Sequence, residues 1–391
     1  MDFATLSKQY EEYIIALRRD FHAHPELSFE EERTARVVSG QLDHLGIPHV
    51  RLAHNCVVGK LVGGKAEQGG RRLAIRADMD ALPIQEEAET PFKSEHEGVM
   101  HACGHDGHTA MLLGAAAMLK QAQPELGGTV YLCFQSAEEV GGGARGIVDY
   151  LLAEGGVDRA IAAHLMPSLD SGLISVEEGA RMAATNNFMV EVTGRGGHAS
   201  QPELCIDPIK PLCRIVLDVS AIPANRVAAL EPCVVHVGRV AGGTQGNIIP
   251  QKATAWGGFR TFSTQQRARL PELIREIAEH TALAHGAAAR VEFYEGPPIV
   301  NNDAQSVALA REVLGRHPVL TPASLKPICA SEDFGMFLEQ FGGFMCFIGI
   351  RNEKKGLVYD LHHPRFGIDE DVLGPGAAFF ALYADAFLSG G

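Results

Sequence analysis

No stretch of the 391 residues approaches 18 consecutive apolar positions, so the sequence offers no membrane span. The opening MDFATLSKQYEEYIIALRRDFHAHPE mixes acids and tyrosines into its apolar positions and has no basic-then-apolar block, so a secretory signal is not expected. Basic residues are in deficit: 34 Lys and Arg against 48 Asp and Glu leave a formal charge of −14. That balance argues against nucleic acid or anionic lipid as the main partner, since both need basic surface. Internal repeats and low-complexity linkers are missing. So is any set of four Cys and His at short spacing that would close a structural zinc site. The eight cysteines are scattered, several within apolar runs such as VYLCF and FMCFI. Cys103 excepted, they read as buried, reduced thiols of a cytoplasmic protein.

What is present is an ordinary globular composition, 46% hydrophobic and 21% charged. The length suits two or three domains of about 150 residues. Leu6, Tyr10, Tyr13, Ile14, Leu17 and Phe21 recur at helical steps. Ser28 with Glu31 reads as a capping box opening a helix that stops at Gly46. RRLAIRADMDALP, GTVYLCFQSAEE and VDRAIAAHLMP are strands that run into acids or, in the last case, stop at His164; a helix over about 108–121 lies between the first two. This alternation predicts an α/β fold, a mostly parallel sheet flanked by helices, with ligands collecting at the carboxyl ends of its strands. Near residue 184 the pattern becomes strand, helix, strand, strand, helix, strand, the order of a ferredoxin-like α+β domain. After about Pro297 the first pattern returns. The expected division is residues 1–183 plus 297–391 for one domain and 184–296 for an inserted one.

The chemistry concentrates in VMHACGHDGHTAMLLGAAAML, Val99 to Leu119. Cys103 and His105 can place a thiolate and an imidazole on one ion, the thiol being deprotonated by the metal and by the N-terminus of the following helix. Alone the pair is weak. Glu138 and Glu139, His164, and His362 with His363 add ligand types at other strand ends, and ligands spread in this way suit two metal ions sharing a bridging water. Neighbours in extended backbone point to opposite sides, so one of Glu138 and Glu139 can bind metal while the other faces the water. His363 competes with His362. His101 and His108 read as helix caps or supports for the ligands. Glu332 and Asp333 are either a helix-start pair or contacts to the site.

RRDFHAHPELSFEE, RADMDALP, MHACGHDGHTAMLLGAA, FQSAEEVGGGARG, GRGGHAS, GGTQGNIIP, SEDF and LHHPRF occur in this order over essentially the whole chain. Together they resemble the dinuclear amidohydrolase branch of the aminoacylase/carboxypeptidase metallopeptidase family, the branch of hippurate hydrolase and the auxin–amino acid conjugate hydrolases. The resemblance implies a catalytic dimetal domain interrupted by a lid domain that also serves dimerisation. It implies metal ligands at Cys103, His105, Glu139, His164 and His362, Glu138 as general base, and Asp80 orienting a ligand. It implies that His198 reaches the substrate and stabilises the oxyanion, in some relatives from a partner subunit, and that Asn247 and Arg260 lie near the substrate carboxylate. Two divalent ions are implied per chain, zinc or manganese, with nickel and cobalt as alternatives. The implied reaction is hydrolysis of N-acyl or N-aroyl amino acids. A dipeptidase or N-carbamoyl amino acid hydrolase is the alternative on the same scaffold, and a non-catalytic metal-binding protein the remote one. The expected partner is a small N-acyl amino acid, with a homodimer or homotetramer formed through the lid. Ser136, Leu204 and Cys205 depart from the family pattern.

Overall fold

Runs of β-branched and aromatic residues build the centre of the structure. A computed structural model of the chain describes residues 1–67 and 70–390. Strands Thr129–Gln135, Arg72–Asp78, Arg159–Asp170 and Gly343–Arg351 lie side by side and parallel. Val57–Val62 adds antiparallel at one side and Leu173–Ser175 at the other, within a mixed sheet of eight strands. A parallel interior must be covered on both faces, and every residue of Thr129–Gln135 after the first is buried. The strand through His164 does not stop there but continues to Asp170. Pro167, which has no N–H to donate, falls where the register with Gly343–Arg351 slips, so the ladder passes it without losing a bond.

Helix His105–Ala122 starts three residues earlier than the apolar run suggested, bringing His105, Asp106 and His108 into its first turns. It is buried nearly all round, and its glycines let neighbours approach. A Cβ on Gly114 would stand 2.5 Å from Cδ1 of Ile14 in helix Glu11–Ala23. Helix Leu373–Leu388 packs against it. With the preceding turn, that helix is long and apolar enough to cross a membrane, yet 78% of the stretch is buried within the protein, so it is a core helix. The N-terminal periodicity is divided at Tyr10 into helices Phe3–Gln9 and Glu11–Ala23. All eight cysteines are free; Cys56, Cys103, Cys133 and Cys346 are buried, whereas Cys213 and Cys329 are exposed, contrary to expectation.

Contacts divide the chain into two compact units. One comprises Met1–Arg181, Val300–Lys326 and the residues from Asp333 on; the other comprises Met182–Ile299 with Pro327–Glu332. Within the second unit, strands Ala288–Glu295, Ala184–Thr193, Lys252–Thr261 and Cys233–Gly242 form an antiparallel sheet in that spatial order. This is the fourth–first–third–second order of a split βαβ arrangement. Ala184–Thr193 alternates between buried and less buried positions, and its inner face joins helices Ile209–Ser220 and Thr264–Ala284 in one apolar core. The short segment Pro327–Glu332 belongs here because Ala183 N–H donates to the Ala330 carbonyl at 2.9 Å.

The two kinds of helical glycine should respond oppositely to substitution. Gly114→Val forces branched carbons into Ile14 and should cost about 1–3 kcal/mol in chemical denaturation. Gly40→Ala, in helix Glu32–His44 with nothing within 4 Å of the added carbon, should gain about 0.5–1 kcal/mol. A Gly114→Val protein as stable as the parent would refute the packing argument.

Candidate metal centre

Strand Arg72–Asp78 ends in acids, strand Thr129–Gln135 leads into the turn carrying Glu138 and Glu139, and His164 lies on the neighbouring strand. Cys103 and His105 come from the start of helix His105–Ala122, and His362 from a turn whose N–H donates to the Ala102 carbonyl at 2.8 Å. The fold thereby gathers side chains distant in sequence. Ligand atoms of Cys103, His105 and His164 lie within 4.8 Å of one another, as do those of Cys103, Glu139 and His362, and those of His105, Glu138 and Glu139. Cys103 Sγ is 3.6 Å from Nε2 of His164. Glu139 Oε1 is 3.4 Å from Nε2 of His362 and 3.9 Å from Nε2 of His105. His363 instead stacks on Tyr359, and its Nδ1 accepts from the Arg365 N–H.

Backbone carbonyls set the histidine tautomers. The Nδ1–H of His105 donates to the Asp80 carbonyl at 2.8 Å, and that of His164 to the Leu165 carbonyl at 2.8 Å. With Nδ1 of both rings on a backbone carbonyl, Nε2 is the nitrogen each turns toward the cluster, the arrangement a metal-binding imidazole needs. Burial pushes His164 down to about 3, so it stays neutral. Among the described residues, His105 Nε2 and Glu139 Oε1 are buried without a hydrogen-bond partner. One thiol, three imidazoles and a carboxylate with such orphaned donors fit borderline divalent cations. Burial pushes the Cys103 thiol well above its ordinary range, and a bound cation would displace its proton.

Asp80 is tied in on several sides. Its carboxylate accepts the N–H groups of Glu138 and Glu139, each at 3.1 Å, and the Ser28 hydroxyl at 2.7 Å. Glu138 and Glu139 sit in a turn beyond the strand, not in extended backbone, and they do not point to opposite sides as expected: a carboxylate oxygen of each lies within 4.8 Å of one of the other's. Ser28 does not cap the helix after it. That helix is Glu32–His44, and Glu26 accepts the N–H groups of Arg33 and Thr34.

His198, Asn247 and Arg260 belong to the second unit. His198 and Asn247 are neighbours there, since strand Gly197–His198 pairs with Ile248–Ile249 and the Ala199 N–H donates to the Asn247 carbonyl at 3.1 Å. The Ser200 N–H donates to Nδ1 of His198, which leaves Nε2–H of the neutral ring as an exposed donor. Arg260 donates to the Cys329 carbonyl at 2.9 Å.

Residues 74–386 match peptidase family M20/M25/M40. The chain belongs to this family. It is 38% identical to thermostable carboxypeptidase 2 of Saccharolobus solfataricus, over 97% of this chain and 96% of that one. It is 36% identical to the N-acetylcysteine deacetylase of Bacillus subtilis, over 96% and 97% of the two chains. It also resembles the solved structure of a dinuclear metal-binding M20 peptidase from Bacillus subtilis: TM-score 0.86, 34% identity, 98% of this chain and 99% of the other covered.

Around the gathered side chains, this M20 chain carries further buried polar groups. Arg76 is buried between Asp78 at 2.6 Å and Asp333 at 2.9 Å, while Gln135 donates to Asp333. Asp333 is thus part of a charge network, and one of its carboxylate oxygens lies within 4.8 Å of one of Glu138's, which fits the second of its two expected roles, contact with the site. His108 links the same network to the neighbouring strand, donating from Nδ1 to Asp78 at 2.6 Å and accepting the Leu165 N–H at Nε2. His101 neither caps a helix nor hydrogen-bonds a ligand; both its ring nitrogens are buried without partners, and burial pushes it down to about 4. Ser136 is buried against the Cys56 thiol. Arg18 and His22, one turn apart on helix Glu11–Ala23, converge on Asp106 at 2.9 and 2.7 Å. Their i, i+4 spacing was the available signal.

Burial opposes the charge on Asp106, but Arg18 and His22 hold its carboxyl far below the ordinary range. A depressed acid contributes stability that is present above its unfolded pKa, about 3.9, and lost as pH falls below it. Asp106→Asn leaves Arg18 buried without its counter-charge and should cost about 3–5 kcal/mol at pH 7. The stability difference from the parent should shrink as pH falls below about 4. An unchanged denaturation midpoint at pH 7 would rule the network out as a support.

Proposed function

We propose that the chain hydrolyses the amide bond of N-acyl or N-aroyl amino acids, releasing a carboxylic acid and an amino acid. The supporting observation is the gathering of Cys103, His105, Glu139, His164 and His362 into linked ligand groups with Glu138 beside them. Cys103, His105, Glu139, His164 and His362 would hold two divalent ions, zinc or manganese, and such ions would supply a lowered pKa for bound water and polarisation of the amide carbonyl. The chain supplies the rest. Glu138 takes the proton of the attacking water and returns it to the leaving amine. Asp80 keeps Glu138 and the ligands His105 and Glu139 in register through its hydrogen bonds. His198 donates from Nε2 to the oxyanion that forms as the carbonyl becomes tetrahedral. Asn247 and Arg260 receive the substrate carboxylate. The inserted residues act as a lid over a cytoplasmic active site and join two or four copies through strand Cys233–Gly242. That strand ends its sheet and exposes Val234 and Val240, which supports edge-to-edge pairing.

The relative named as a carboxypeptidase favours peptides as the second reading. Assays on N-acetyl and N-benzoyl amino acids, free dipeptides and N-carbamoyl amino acids, with zinc or manganese added, separate the two. The first group should be the better substrates, and preference for free dipeptides would overturn the assignment. Glu138→Gln should retain its metals while kcat falls about 10²–10⁴-fold. Full turnover in that variant would remove the assigned base.

A further inference from the structure

Three successive backbone N–H groups on the turn after strand Thr129–Gln135 are each taken by a carboxylate. Glu138 and Glu139 donate to Asp80, and Ala137 donates to Glu31 at 2.7 Å. Ala137 is fully buried and has φ of 55°, in the left-handed region that disfavours any residue with a Cβ. Glu31 is fully buried too, and its second oxygen, Oε2, has no hydrogen-bond partner among the described residues. A buried, half-satisfied carboxylate and a strained alanine are both unfavourable, and they are joined to each other. Such a pairing persists where its geometry serves something else. The segment that supplies Glu31 also supplies Ser28, which donates to Asp80. Ser28 and Glu31, spaced as a helix-capping pair, both reach away from the helix, Glu31 onto this turn and Ser28 onto the Asp80 carboxylate that also holds it.

We infer that Glu31 is a positioning residue: by accepting the Ala137 N–H it holds the left-handed turn that aims Glu138 and Glu139. This rests on the roles proposed for those two acids. The demand is for an acceptor and not for a charge. Burial pushes Glu31 up to about 7, so near neutrality the uncharged acid is well populated, and it offers the same carbonyl oxygen.

The test compares Glu31→Met, which keeps length and loses the acceptor, with Glu31→Gln, which keeps both. Each is made with Ala137 and with Ala137→Gly, and folding is checked by thermal denaturation. The readouts are kcat and KM on a hydrolysed N-acyl amino acid, and the chelator concentration that strips half the zinc. Glu31→Met should lower kcat with little change in KM, and should lose zinc at lower chelator concentration, each by about 10–100-fold. Glu31→Gln should keep most of both. Ala137→Gly should restore much of the loss in the Glu31→Met protein, because glycine takes the left-handed conformation unaided. A folded Glu31→Met protein with parental kcat and zinc retention overturns the inference. So does a Glu31→Gln protein as impaired as Glu31→Met, or a loss that glycine leaves unrepaired. If Glu31→Met does not fold alone, the Met-to-Gln comparison in the Ala137→Gly background decides. Should Glu138→Gln prove fully active, the functional reading fails, while zinc retention still reports on the clamp.

Discussion

Asp80 stands where three segments of the first unit meet, and its hydrogen bonds set the geometry of the centre. Its carbonyl holds the His105 ring in one tautomer, and its carboxylate holds the turn of Glu138 and Glu139. A one-residue displacement of that acid would release an imidazole and two carboxylates together. Ser28 at 2.7 Å keeps the carboxylate from rotating away. The side chain is thus engaged by backbone and hydroxyl donors of the surrounding segments.

The surroundings are costly to assemble. Asp78, Asp106, Asp333, Arg18 and Arg76 are charged groups with almost no exposure. Isolated, each would be prohibitive to bury, and the structure tolerates them because each meets an opposite charge or several donors. The ligand cluster differs. Among the described residues His105 Nε2 and Glu139 Oε1 have no hydrogen-bond partner, although Glu139 Oε1 lies 3.4 Å from His362 Nε2, so the centre suits a charge brought in by a cation. Rigid paired charges therefore surround deliberately unpaired donors, which keeps those donors pointing at a common space.

Much of this was legible in the residues. The strand–helix alternation, the parallel sheet and the strand–helix–strand–strand–helix–strand run of the second unit follow from hydrophobic periodicity, because period 2 and period 3.6 leave different marks. The ligand types near Cys103 were visible as composition alone. The jobs of Ser28 and Glu31 were not: a capping-box spacing is a local signal, and these side chains bond to acceptors and donors about 50 and 100 residues away. The end of the strand at His164 was misjudged because Pro167 and a histidine look like a terminus, whereas the ladder simply slips past the proline. The i, i+4 spacing of Arg18 and His22 shows that they share a helix face, but nothing local reveals that Asp106 lies across from them.

Local order was decided by the chain's own pattern: which segments form strands and helices, which residue types can bind a cation, and that one compact unit interrupts another. Convergence was decided by the tertiary structure alone. It put Cys103, His105, Glu139, His164 and His362 within reach of one another, selected His362 over its neighbour for the cluster, fixed the tautomers of His105 and His164 and bent the chain at Ala137. The reason is physical. Periodicity reports how a residue sits relative to its near neighbours, whereas tautomer, burial and ion pairing depend on groups brought close only when the sheet and helices pack.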